Sequence, residues 1–304
     1  MNLEQEELCG FIVSKTRKKV WETELEMLKT FIEICQENQL TYFAEGGTLL
    51  GAVRHNGFIP WDDDVDITMP RDDYEKFLEI AANQLPDHLF LQCYKTEKRY
   101  PNGHAQIRNS NTTCLANVSY TDLRDGKNCG IFIDIFPLDD VPDLEKQRRK
   151  QAKKIKTLKR LCFYRLYPSK GGKGFIKRVI QGIYFIFHSL EGTIKKIDQL
   201  SKKYNHKTNT VALMSFMPGY EHNVWDKNLF SESVKCKFED IEINIPRDYD
   251  AVLRREFGDY MQFPQNKESG NMHGQCFFDV ENAFTKYSSY SCGEIDELLK
   301  SFVM

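Results

Sequence analysis

The stretch EGGTLLGAVRHNGFIPWDDDVDITMP, residues 45–70, holds a glycine pair and then four aspartates, Asp62, Asp63, Asp64 and Asp66. Carboxylates this close repel, and either water or a cation must answer the repulsion. LTYFAE (40–45) reads as a short strand that Gly46-Gly47 ends. TLLGAVRHNG (48–57) reads as a helix with Thr48 at its N-cap and Gly57 as its stop. DVDITM (64–69) alternates, which predicts a strand closed by Pro70. Alternate side chains of a strand share a face, so Asp64 and Asp66 point one way while Val65 and Ile67 point into the core. Two neighbouring carboxylates make a hard-oxygen site suited to Mg²⁺, with a solvated acidic turn as the bland reading. The amides of Gly46 and Gly47 lie at a helix start, where unpaired N–H groups and the helix dipole favour a phosphate. A plain tight turn is the other reading of the pair.

Around this stretch the chain is ordinary for a folded protein. Its 304 residues suffice for one large domain or two small ones, and its formal net charge of -2 names no partner. Nine cysteines at irregular spacing, with no CxxC pair, argue against a zinc site or a disulfide framework and fit a reducing cytoplasm. No basic region followed by a long apolar run opens the chain, and no stretch approaches the roughly 20 apolar residues that span a bilayer. The expected location is therefore cytoplasmic.

Residues 18–39 are predicted to be an amphipathic helix, with Trp21, Leu25, Leu28, Ile32 and Cys35 on one face. Residues 71–85 are a predicted helix, and 88–95 and 104–110 are predicted strands. GIFIDIFPLDDV (130–141) reads as a strand ending at Pro137, 212–216 and 236–245 as strands, and 247–261 as a helix stopped near Gly258. Strands interleaved with helices predict an α+β (mixed α/β) fold. Between Lys146 and Leu190 there is no Asp or Glu while Lys and Arg are dense. The expected organisation is a catalytic core over 1–145, a basic helical insertion over 146–205, and a part over 206–304 that completes the core.

Ile133-Asp134-Ile135 places a carboxylate in the middle of an apolar strand, which is costly unless the charge is paired or metal-bound. A salt bridge to a buried arginine would satisfy it, and so would a place as third carboxylate of a metal site with Asp64 and Asp66. Gly-Gly, then alternating aspartates, then a lone aspartate on a second strand resembles the nucleotidyltransferase superfamily with the polymerase-β-like core. GTLLGAVRHNGFIPWDDDVDITMPRDDYEKF, IFIDIFPLD and the block from IPRDYDAVLRREFGDYMQFP to His273 are together similar to the LicD family, relatives of fukutin and fukutin-related protein. A longer polar run, QNKESGNM, before His273 departs from the family pattern.

The resemblance implies a transferase that moves phosphocholine or a polyol phosphate from a CDP-linked donor to a glycan hydroxyl and releases CMP. The acceptor would be a sugar of teichoic acid, lipopolysaccharide or capsule, in some cases lipid-linked. It implies two Mg²⁺ ions (Mn²⁺ as the substitute) about 4 Å apart, held by Asp64, Asp66 and Asp134, with Asp134 as general base or as the group that places a metal. Asp62 and Asp63 are expected to orient the loop, and Asp139 and Asp140 to cap a helix or turn. Gly46, Gly47 and Thr48 would meet phosphate. Arg54 is assigned either to the donor phosphate or to an aspartate of its own loop, and Trp61 to packing. Lys267 and His273 are assigned either to closing over the donor or to a solvated tail.

The basic stretch 146–190 is either a solvated helical face or a surface for anionic membrane, with Phe175, Ile176, Ile180, Tyr184 and Phe187 dipping into the interface. No nucleic-acid-binding module is visible. Two other functions compete: an NTP-dependent nucleotidyltransferase, and a non-catalytic metal- or polymer-binding protein.

Overall fold

The computed structural model describes residues 1–116, 118–167, 175–214, 223–264 and 276–302, with the backbone alone at 175–178 and 180. A hairpin of β1 (Glu6–Leu8) and β2 (Phe11–Val13) precedes α1 (Lys15–Glu37), whose N-cap Ser14 accepts from Arg17 N. The helix starts earlier than its apolar stripe because the cap lies three residues before Arg17. β3 (Phe43–Ala44), α2 (Gly46–His55), β4 (Asp66–Pro70) and α3 (Arg71–Gln84) follow. Glu45, not Thr48, occupies the N-cap position of α2, so the glycine pair forms the first turn and does not precede it.

β5 (Leu89–Gln92), β6 (Ala105–Asn109), β7 (Thr113–Leu115) and α4 (Ser119–Arg124) lead to β8 (Ile131–Val141). β8 runs through Pro137, where the sequence predicts its end. On one edge it pairs in parallel with β4; on the other it pairs with β6 over Ile131–Ile135 and with β9 (Thr210–Ala212) over Asp139–Val141. Pro137 falls in the gap between those two partners, where a missing N–H removes no ladder bond on that edge.

The basic stretch forms α5 (Glu145–Leu166) and α6 (Phe175–Phe187), followed by α7 (Leu190–Ser201). β10 (Val224–Asp226) pairs with β9, and β11 (Ser233–Phe238) with β12 (Ile241–Pro246). The run predicted as one strand over 236–245 is thus a hairpin, turned at Glu239, whose φ is 54°. α8 (Tyr249–Phe257), β13 (Phe277–Asp279), paired with β7, and α9 (Cys292–Ser301) complete the chain. The fold is α+β, with a mixed sheet ordered β10-β9-β8-β4-β3 and with β6 and β5 joined to it through β8.

The main core packs Trp21, Leu28 and Phe31 of α1 and Phe77 of α3 against Ile67, Ile107, Ile133 and Ile135 of the sheet, and it takes in Phe238, Ile243, Val252 and Leu253 from the last third of the chain. A second cluster joins Ile155, Leu158 and Cys162 of α5 to Ile194 and Ile197 of α7, against Val141 and Ala212. Arg71, at the start of α3, is buried between the two. It holds Asp139 of β8 with two bonds, Nε to Oδ1 at 2.7 Å and Nη2 to Oδ2 at 2.8 Å, and reaches Asp198 of α7 at 3.0 Å. Asp139 is therefore an interior anchor and not a cap. Asp140 accepts from His206 N and from Lys227 Nζ.

Candidate active site

The loop between α2 and β4 is fixed from outside. Arg17 Nη1 and Trp21 Nε1, both on α1, donate to the carbonyl of Asp62 at 2.7 and 3.0 Å. The start of β4 is fixed on both sides. Asp66 N donates to Thr48 Oγ1 at 2.8 Å, and Glu45 N donates to Asp66 O at 3.0 Å. Asp134 N in turn donates to Val65 O at 2.9 Å. These bonds, with the parallel register, set Asp66 and Asp134 as direct neighbours on β4 and β8.

Asp62, Asp64, Asp66 and Asp134 line one cleft of about 910 Å³, together with Gly46, Gly47 and Arg54. Of the residues predicted to form the site, only Thr48, Lys267 and His273 are not placed there. Thr48 is buried behind Asp66, where its hydroxyl accepts the Asp66 amide, so it positions a carboxylate and does not line the cleft. Lys267 and His273 lie outside the described residues. Asp63 is not among the residues that line this cleft; with Asp64 it borders a second, small pocket beside Glu24, Cys114 and Cys276.

Among the described residues, the carboxylate oxygens that converge most tightly are those of Asp62, Asp63 and Asp64, all within 4.8 Å of one another. Burial, and then the charge of Asp64, pushes the Asp62 carboxyl well above the usual carboxylate range. Gly47 makes this approach sterically feasible, because a Cβ there would stand 2.3 Å from Asp62 Oδ2. Gly46 has a φ of +50°, which glycine adopts without strain. The donor set is oxygen only, its charges are crowded, and the residues fit a hard divalent cation such as Mg²⁺.

Arg54 is committed elsewhere than either sequence reading assigns it. It donates to the carbonyl of Tyr260 at 2.6 Å and to His55 Nε2 at 2.9 Å, and it lies over the ring of Phe263 at 5.1 Å. The guanidinium thereby ties α2 to the segment after α8 at the cleft wall. Trp61 is buried and meets Phe11, His55 and Phe263 edge-on.

Six residues that line the cleft, His104, Gln106, Lys159, Arg160, Glu45 and Glu256, escape the sequence reading. His104 Nε2 lies 3.1 Å from Asp134 Oδ1, and Gln106 Nε2 donates to the same oxygen at 2.8 Å. Arg108 Nη2 donates to Gln106 Oε1 at 2.7 Å, which continues the chain of contacts along β6. The signal was the alternation H-A-Q-I-R, which puts all three on one strand face, but nothing in the sequence assigns that face to β8. Lys159 and Arg160 of α5 line the cleft too, and burial lowers the Lys159 pKa to about 8. Glu45 and Glu256 line the cleft as well. Burial, then the charge of Glu256, holds Glu45 well above its ordinary range; burial pushes Glu256 up to about 7, opposed by the Asn223 amide.

Residues 39–147 match the LicD/FKTN/FKRP nucleotidyltransferase domain. The cleft carboxylates Asp62, Asp64, Asp66 and Asp134 all fall inside that span. These residues are a LicD-family domain. The LicD match is accompanied by similarity over more of the chain. The protein is 28% identical over 259 residues, 83% of this chain and 93% of the relative, to the lipopolysaccharide cholinephosphotransferase LicD of Haemophilus influenzae. Shorter similarities, 46% over 55 residues and 48% over 48 residues, link it to uncharacterized proteins of Rickettsia typhi and Rickettsia prowazekii.

Proposed function

We propose that this LicD-family chain transfers phosphocholine from CDP-choline to a hydroxyl of a cell-surface glycan and releases CMP. The observation that carries the reading is the grouping of Asp62, Asp64, Asp66 and Asp134 with the Gly46-Gly47 helix start, Lys159 and Arg160 in one cleft. The relative named a lipopolysaccharide cholinephosphotransferase supports the choice of head group and of acceptor.

In this reading the acceptor oxygen bonds to the phosphorus that carries choline, the bond from that phosphorus to the CMP oxygen breaks, and the hydroxyl proton passes to Asp134. Gln106 and His104 hold one oxygen of Asp134 and so fix its orientation. Gly46 and Gly47 offer first-turn amides to the donor diphosphate, and Lys159 and Arg160 offset its charge from α5. Asp64, Asp66 and Asp134, joined by Asp62, would hold Mg²⁺, which when bound neutralises phosphate charge and stabilises the leaving oxygen.

Membrane contact belongs to the same reading. Among the described residues no helix is long and apolar enough to cross a membrane. α6 nonetheless exposes Val179, Ile183, Ile186 and Phe187, the last at 78%, beside the lysine- and arginine-rich α5. An anionic bilayer carrying a lipid-linked acceptor matches both the apolar face and the positive charge. Tyr184 turns inward instead, its hydroxyl 3.3 Å from Thr193 Oγ1. The side chains of Phe175, Ile176 and Ile180 lie outside the described residues.

The test is CMP release in Mg²⁺ from CDP-choline, CDP-ethanolamine, CDP-ribitol and CDP-glycerol, with surface glycan as acceptor and Asp64→Ala as control. Release from CDP-choline that EDTA and the variant abolish is the expected result. Pyrophosphate release from an NTP in place of CMP release would overturn the reading.

A further inference from the structure

We propose that Glu45 and Glu256 form the subsite for the donor's head group and that they select a cationic one. The inference rests on the transferase reading and deepens it. Glu45 is 2% exposed; the Asn223 amide and the Gly46 N–H act on its carboxylate, but among the described residues no bond of normal geometry reaches either of its oxygens, nor Glu256 Oε2. Glu45 sits at the N-cap position of α2, yet its side chain makes no capping bond there. Asn223 Nδ2 reaches the other oxygen, Glu256 Oε1, at 3.3 Å. Buried carboxylates with so few donors are costly, and here both line a cleft through which a ligand's positive charge can offset theirs.

The position suits the far end of a phosphocholine. Asp66 Oδ2 and Glu256 Oε1 stand 3.6 and 3.8 Å from the point a Cβ on Gly46 would occupy, so the glutamate pair adjoins the carboxylates that would hold the metal. The ammonium of phosphocholine is two carbons from its phosphate oxygen. A phosphorus placed at Asp66 therefore brings the cation to the neighbouring carboxylates. The pair does not converge as the ligands of a small ion do. Among the described residues, neither glutamate belongs to a group of three ligands whose atoms converge within 4.8 Å, as a small divalent ion would demand. Phe257 and Tyr260, near Glu256, line the same cleft, and the Tyr260 ring already holds one cation, the Arg254 guanidinium at 5.8 Å from its centroid.

The experiment is calorimetric binding of CMP, CDP-choline and CDP-glycerol, in Mg²⁺, to the wild type and to Glu256→Gln. The wild type should bind CDP-choline at least about tenfold more tightly than CDP-glycerol, the scale of one desolvated cation contact. Glu256→Gln should erase that ratio and leave CMP binding unchanged. Equal affinity of the wild type for the two donors overturns the inference. So does a variant that weakens all three ligands alike, or one that loses Mn²⁺ binding measured by paramagnetic resonance, since either assigns the pair to folding or to metal.

Should Glu256→Gln not fold, competition of tetramethylammonium against CDP-choline on the wild type decides: displacement supports the subsite, and none removes it. CMP release on the same samples separates this inference from the reading beneath it. Turnover without donor preference leaves the transferase standing and removes the subsite, whereas preference without turnover does the reverse.

Discussion

Asp66 and Asp134 are register partners across the parallel pair β4–β8, although the two residues belong to separate blocks of the sequence. Each has its main-chain N–H fixed, Asp66 by Thr48 Oγ1 and Asp134 by Val65 O. Their side chains are thus held at a spacing the sheet imposes. Asp134→Asn should lower CMP release by at least about 100-fold, as expected when a metal-holding carboxylate is lost. The melting temperature of the metal-free variant should be equal to or above that of the wild type, because a crowded negative charge has been removed. Turnover within a few-fold of wild type would exclude Asp134 from the chemistry.

Gly47→Ala tests the packing of the aspartate loop. The added Cβ meets Asp62 Oδ2 at 2.3 Å, so the carboxylate must swing away while the buried loop carbonyl stays held by Arg17 and Trp21. The expected outcome is a loss of turnover of about 100-fold or more with modest thermal destabilisation, since misplacement by about 1 Å near reacting groups has this effect. An unchanged kcat would mean that Asp62 is dispensable.

Arg71→Met leaves Asp139 buried and unpaired, and Asp198 loses a partner too. Urea unfolding should show a loss of about 3–5 kcal/mol, the usual result of removing one member of a buried pair. The double variant Arg71→Met/Asp139→Leu should recover much of it, because the uncompensated charge is gone. Equal instability of the single and double variants would locate the effect in packing.

His55 supplies a pH dependence. Burial, then the neighbouring Arg54 charge, lowers its pKa from 6.5 to about 4. The folded state therefore resists a proton that the unfolded chain accepts below about 6.5. The stabilisation is complete above that value and is lost as pH falls to about 4. Discounted for partial solvent screening, it amounts to roughly 1–2 kcal/mol. Urea midpoints for the wild type and His55→Asn should converge across this window on acidification; parallel curves would refute the assignment.

Ile186→Glu/Phe187→Glu addresses the bilayer contact, since both side chains are exposed on α6. The wild type should float with phosphatidylserine-containing vesicles at low salt, and the variant should stay in the dense fraction with its solution turnover intact. Failure of the wild type to float would dismiss the membrane reading.

The alternation around Asp66 and Asp134 made their strands, and the inward side of each, legible before any coordinates. What alternation does not carry is pairing. HAQIR shows that His104 and Gln106 share a face, but only the β6–β8 register brings them to Asp134. The strand was read as ending at Pro137 because proline disfavours a ladder; the gap between β6 and β9 removes that objection, and Asp139 becomes interior as a result. Glu45 and Glu256 come from opposite ends of the chain, so no local pattern could place them together. Arg54 was judged by its charge, while its partners are main-chain carbonyls, which sequence does not mark.

The division of the cleft between early and late parts of the chain sets an order of assembly during synthesis. The aspartates and their supporting strands have emerged from the ribosome by β8, but Asn223, Glu256 and Tyr260 belong to the last third of the chain. A growing polypeptide can form the acidic wall long before the surface opposite Gly46 exists. The cleft is therefore completed only near the end of translation, and a fragment cut to residues 39–147 would lack both that surface and the core residues Phe238, Ile243, Val252 and Leu253.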